Sequence, residues 1–290
     1  MMEELEFNIH GFVLKAKTWG NKNGQPMLGI HGWLDNANSF DKIASLLAPD
    51  TYFIAIDLAG HGLSNHRQKN GAYYLWDYAL DVLEIIENLQ VSKVSIIAHS
   101  MGTGVAAIIA GAMPKLIHKL VFIDGLGAPF VVKEEQIAAN FNRSFRQLKM
   151  ARKTKLYGFS SKKSIQFTSK EEAIQDRMKN HVSTISYDAS ACLVDRSLEK
   201  ISTGYRWRYD PRIVLPESYR MTETQAQLFI EAITCKTLII LGKQGLFSEG
   251  MFQERIDKFK NATLHWIDGG HHMHLEEQHD YTAQLINDFL

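Results

Sequence analysis

The chain has 290 residues, 45% hydrophobic and 22% charged, with 32 Lys+Arg balancing 32 Asp+Glu. That suits one large α/β domain or a core carrying an insertion, and the absence of a basic excess speaks against a nucleic-acid binder. No apolar run approaches the ~20 residues of a membrane span, and the acidic start Met1-Met2-Glu3-Glu4-Leu5-Glu6 lacks a secretory pattern.

The first predicted element is an antiparallel hairpin, from alternating segments at Leu5–Ile9 and Phe12–Ala16 around His10-Gly11. Three short apolar runs follow, Pro26–Ile30, Tyr52–Ile56 and Val94–Ala98. Each ends in a turn of small or polar residues, as strands of a parallel sheet covered on both faces do. Between the last two, Leu75, Tyr78, Ala79, Val82, Leu83, Ile86 and Leu89 recur at helical spacing. Leu120–Ile123 is a further strand, stopped by Asp124-Gly125. Such alternation predicts right-handed crossovers and a doubly wound, mostly parallel sheet.

The alternation breaks between residues 127 and 222, where helical stretches and polar loops take over. It resumes at Thr222-Glu223-Thr224-Gln225, a capping box opening a helix through Ile233. A strand at Thr237–Leu241, a helix near Phe252–Phe259, a strand at Thr263–Ile267 and a helix from Tyr281 complete the chain. The reading is a core in two parts, residues 1–126 and 223–290, with a mostly helical cap at 127–222. Cys192 and Cys235 fit no zinc spacing and read as free thiols of a cytoplasmic protein.

Chemistry concentrates at three places. Ala98-His99-Ser100-Met101-Gly102 stands between a strand and a helix, the setting of a nucleophile elbow, whose strained turn needs small residues two before and two after the serine. His31-Gly32-Trp33 follows an earlier strand, so the backbone N–H groups of Trp33 and Met101 are the candidate oxyanion hole. Gly269-Gly270-His271-His272-Met273-His274 follows the last strand and offers His271 as the base. Three histidines in four residues are also a potential metal cluster, but no acidic ligand motif accompanies them. The expectation is therefore no metal and no organic cofactor.

With these residues the chain resembles the α/β-hydrolase superfamily over nearly its whole length. Asp57-Leu58-Ala59-Gly60-His61-Gly62-Leu63-Ser64 is similar to the superfamily's structural Asp-x-x-Gly-x-Gly-x-Ser turn. Gly204-Tyr205-Arg206-Trp207-Arg208-Tyr209-Asp210-Pro211-Arg212 and Gly242-Lys243-Gln244-Gly245-Leu246-Phe247 resemble the serine hydrolase-like proteins within it. The resemblance implies an α/β-hydrolase fold and acyl transfer from a carboxylic ester to water, with a thioester next and a carbon–carbon bond third. One departure stands out: the usual acid position, Gly-x-x-Asp, reads Gly242-Lys243-Gln244-Gly245. Some members, among them relatives of haloalkane dehalogenases, carry the acid after an earlier strand, which points to Asp124, with Glu249 as runner-up. In the cap, Tyr205 and Trp207, with Tyr209, are candidates for an acyl pocket. Lys149, Arg152, Lys153, Lys155, Lys162 and Lys163 form a basic run, either a solvated face or a surface for an anionic substrate handle. The rival reading is a catalytically weak ligand-binding protein, supported by the missing Gly-x-x-Asp acid. Oligomeric state is not legible.

Overall fold

The computed structural model describes residues 2–68, 71–153, 166–179 and 184–290. The alternation at the start of the chain becomes β1 (Glu3–Ile9) and β2 (Phe12–Gly20), paired antiparallel with Leu5 opposite Ala16 and Ile9 opposite Phe12. The apolar runs become β3 (Gln25–Ile30), β4 (Thr51–Ile56), β5 (Val94–His99) and β6 (Ile117–Ile123). Every residue of β5 is buried, as a strand covered on both faces requires.

Between β6 and the return of the core, three short strands, β7 (Gln166–Phe167), β8 (Leu198–Ile201) and β9 (Gly204–Trp207), form a separate antiparallel sheet in the order β7-β9-β8. It is flanked by the helices Lys170–Lys179 and Tyr187–Ser197. The helix-and-loop reading of this segment missed these strands because two to four residues are too few for an alternating pattern to register.

The core resumes with β10 (Lys236–Gly242) and β11 (Ala262–Ile267). The eight-stranded sheet runs β1-β2-β4-β3-β5-β6-β10-β11. The pairings β1–β2 and β2–β4 are antiparallel and the rest parallel. Helices Leu75–Asn88, Gly102–Ala112 and Glu223–Ala232 supply one face; Asp41–Ala44 and His279–Phe289 supply the other. Each fully buried Leu, Ile or Phe on these faces contributes about 1.5–3 kcal/mol. The capping box forms as read, Thr222 Oγ accepting from the Gln225 N–H at 3.3 Å and Gln225 Oε1 from the Thr222 N–H at 3.0 Å. The helix expected near Phe252–Phe259 is one turn, Gln253–Ile256, entered from a left-handed Phe252 (φ 61°).

Buried charge ties the segment between β6 and β10 to the core. Arg196 donates to Asp57 Oδ2 at 2.7 Å and to Glu4 at 2.7 and 2.8 Å. Asp57 also accepts from the Ala37 and Leu63 N–H groups, so the Asp-x-x-Gly-x-Gly-x-Ser turn is a structural junction. Of the basic run, Lys155, Lys162, Lys163 and the Arg152 side chain lie outside the described residues; Lys149 and Lys153 are exposed on the helix Ile137–Lys153. Among the described residues, no helix is long and apolar enough to cross a membrane.

Candidate active site

The parallel strands deliver their carboxyl ends to one edge of the sheet, where doubly wound folds form their sites. His99 is in register with Ile123, and Ile123 with Ile240, so the residues that follow β5 and β6 start side by side. Ser100 has φ 51° and donates its backbone N–H to Ile123 O at 3.0 Å. A left-handed conformation is costly for a non-glycine residue and marks a held, strained turn. The turn is tight: a Cβ at Gly102 would collide with the Ile30 carbonyl oxygen. That explains the small residue two positions after Ser100, and Ala98, two before, is fully buried.

Asp124 also has positive φ, 40°, and is fully buried. Its Oδ2 lies 2.5 Å from His271 Nδ1 and accepts from the Leu246 N–H at 3.0 Å, while its Oδ1 accepts from the Gly242 N–H at 3.1 Å. Gly245, at the position of the usual acid, is what makes room for it: a Cβ there would run into the Asp124 carboxylate. Gly245 is thus the steric partner of a carboxylate arriving from β6. Glu249 is exposed on the loop after β10 and joins no such arrangement.

His271 is buried, and burial, with His99 beside it, pushes its pKa below the usual 6.5 against the opposing pull of Asp124. The ring is thus neutral at pH 7. With Nδ1 on the carboxylate, Nε2 is the nitrogen left to act as a base.

Behind His271 lies a polar layer that the sequence reading did not assemble. His99 Nε2 donates to the His271 carbonyl oxygen at 3.0 Å, and the two rings sit 4.5 Å apart. His272 Nε2 lies 3.2 Å from Asp35 Oδ2, and His274 Nε2 lies 3.0 Å from Ser39 Oγ. Arg177, on the helix Lys170–Lys179, reaches Asp35 Oδ1 at 2.6 Å. Burial alone would raise the Asp35 carboxyl, but His272, His99 and Arg177 together hold it well below the carboxylate range. Burial pushes His272 down to about 4, so it is neutral, against the pull of Asp35. Asp35, His99 and His272 bring potential metal-ligand atoms within 4.8 Å of one another, so Asp35 is the acid that the histidine cluster lacked in the sequence. Its carboxylate is already paired with a guanidinium, which opposes a second cation there.

Of this layer, Asp35, Arg177 and His272 border a cavity of about 260 Å³. Ser100, Asp124 and His271 line it together with Trp33 and Met101, and with Phe130, Leu246, Phe247 and Phe252 as its apolar wall. Among the described residues, neither the Trp33 nor the Met101 N–H donates to a backbone carbonyl. Tyr205 and Trp207, the pocket candidates from the sequence, are not in the lining of this cavity. They pack on the small core of Phe167, Ile174, Val194 and Leu198, with Trp207 edge-on to Phe167 at 5.2 Å. Tyr209 stacks on Trp207 with ring centroids 6.2 Å apart.

A family model described as alpha/beta hydrolase fold matches residues 25–278. The chain is 35% identical to a serine hydrolase-like protein of Dictyostelium discoideum, over 97% of this chain and 80% of the relative. It is 30% identical to a serine hydrolase-like protein of Danio rerio, over 96% of this chain and 85% of the relative. Among solved structures, a hypothetical protein of Pseudomonas aeruginosa PAO1 superposes with a TM-score of 0.89 at 34% identity, covering 99% of this chain and 97% of that one.

Proposed function

The chain belongs to the α/β-hydrolase fold family, and on that premise we propose that it is a serine hydrolase that cleaves a carboxylic ester, oxygen or thio, through an acyl-enzyme on Ser100. His271 Nε2 removes the Ser100 Oγ proton as the oxygen attacks the substrate carbonyl. The backbone N–H groups of Trp33 and Met101 stabilise the oxyanion of the tetrahedral intermediate, each such donor being worth about 3 kcal/mol in the transition state. His271 then protonates the leaving alcohol or thiol, and in the second half-reaction activates water to release the acid. Asp124 holds the imidazole in the tautomer with Nδ1–H and stabilises the imidazolium that forms.

The observation that carries the reading is the 2.5 Å contact between His271 Nδ1 and Asp124 Oδ2 in the wall of the cavity that Ser100 also lines. It supports the triad reading over the ligand-binding alternative, whose argument was an absent acid. Covalent labelling tests the proposal: a fluorophosphonate marks Ser100 in the native chain and leaves Ser100→Ala unmarked.

A further inference from the structure

Arg177 is the single permanent cation among the described residues of the cavity lining, and the Ser100 mechanism leaves it without a task. It is 4% exposed and comes from the helix Lys170–Lys179, outside the core. Asp35 Oδ1 holds its Nη2 at 2.6 Å and thereby fixes the guanidinium in the wall. Its Nε–H is buried and has no hydrogen-bond acceptor among the described residues.

The position within the cavity says which part of a substrate would meet Arg177. Phe130 is 51% exposed and Leu246 and Phe252 are each 36% exposed, so they stand at the mouth, whereas Arg177, Asp35 and His272 are buried members of the lining. A leaving group departs through the mouth. The acyl part stays bonded to Ser100 during turnover and occupies the buried part.

We propose that Arg177 is an anion-recognition residue for the acyl group, so that the preferred substrate is the half-ester of a dicarboxylic acid or a similar acyl chain ending in an anionic oxyacid. This rests on the Ser100 reading and adds the substrate class to it. The free carboxylate pairs with a guanidinium that Asp35 has already oriented, a charge-assisted contact that arginine suits and lysine reproduces only in part. The apolar side chains of Phe247 and Met101 in the lining take the methylenes between the two ends. Hydrolysis then consumes one water and yields a dicarboxylate and an alcohol or thiol.

The test compares p-nitrophenyl half-esters of dicarboxylic acids, succinate through suberate, with their neutral methyl-capped twins, using Ser100→Ala as the blank for spontaneous hydrolysis. The readout is the ratio of kcat/KM for acid over neutral twin, which does not depend on how much of a preparation is folded. The native chain should favour the free acid by roughly 10- to 100-fold at its best length, the range for a hydrogen bond to a charged group. Arg177→Met should bring that ratio to about 1 or below, and Arg177→Lys should keep part of it. Because Arg177→Met strands the Asp35 carboxylate, Arg177→Met/Asp35→Asn is the companion that removes both charges, and it should lose the preference as well. A native ratio at or below 1 at every length, or a preference that survives Arg177→Met or the double variant, overturns the proposal while leaving Ser100-dependent turnover of the neutral esters in place. No Ser100-dependent turnover of any ester would instead defeat the hydrolase reading, and the anion site with it.

Discussion

At the scale of single residues, Asp124 is the most informative. Its carboxylate takes the Gly242 and Leu246 N–H groups and the His271 ring, so it is held before any substrate arrives. An orienting carboxylate of this kind is worth about 10⁴-fold in kcat when changed to its amide, because the imidazole settles in the wrong tautomer. Asp124→Asn should therefore lose about that factor on a simple aryl ester, while Glu249→Gln, exposed on its loop, stays near native turnover. Steady-state kinetics of the two variants decide the matter; native-like turnover of Asp124→Asn would remove Asp124 from the mechanism. Ser100 and His271 were legible because each sits in a short local pattern with a steric or positional reason. Asp124 was legible only through the glycine at 245, and the reason for that glycine, its contact with the Asp124 carboxylate, is three-dimensional. Asp35 and Arg177 were not legible: they lie far apart in sequence, and neither is part of a motif that announces the other.

At the scale of elements, the strands of the large sheet could be read from the sequence because burial on both faces or one imposes continuous or alternating apolar runs. The small sheet could not, and neither could the packing of its aromatic residues. Trp207 and Tyr205 alternate with polar residues along β9, and the pattern does not say which neighbour they face. In the structure Trp207 packs on Phe167 and Tyr209, in a cluster separate from the cavity. Trp207→Ala should then destabilise the chain by about 2–3 kcal/mol, below the 3–5 kcal/mol of a fully buried aromatic because the ring is half-buried. Denaturant unfolding measures this. The ester chain-length preference of the folded variant should match the native one; a shifted preference at unchanged stability would return Trp207 to the substrate site.

At the scale of the whole molecule, the chain buries several neutral imidazoles. Burial pushes His61 down to about 3 and His272 to about 4, and it depresses His31, His271 and His274 as well. A histidine whose folded pKa lies below its unfolded one binds its proton more readily when unfolded, so the stability it contributes is present above about pH 6.5 and is lost as pH falls from there toward the folded pKa. Asp35, whose carboxyl is held low, adds a further loss only once pH falls through the ordinary carboxylate range and below it. Tm should thus be level near pH 7.5 and fall steadily between about pH 6.5 and 4.5; a Tm that holds to pH 4.5 would mean these rings are not buried neutral. The same burial keeps His271 ready as a base, which ties the fold to the proposed chemistry. Intact-mass and peptide analysis after fluorophosphonate treatment tests that chemistry most directly. One adduct per chain on the Ser100 peptide, absent in Ser100→Ala and strongly slowed in His271→Gln, is the predicted result; an unlabelled native chain, or a label on any other residue, would contradict it.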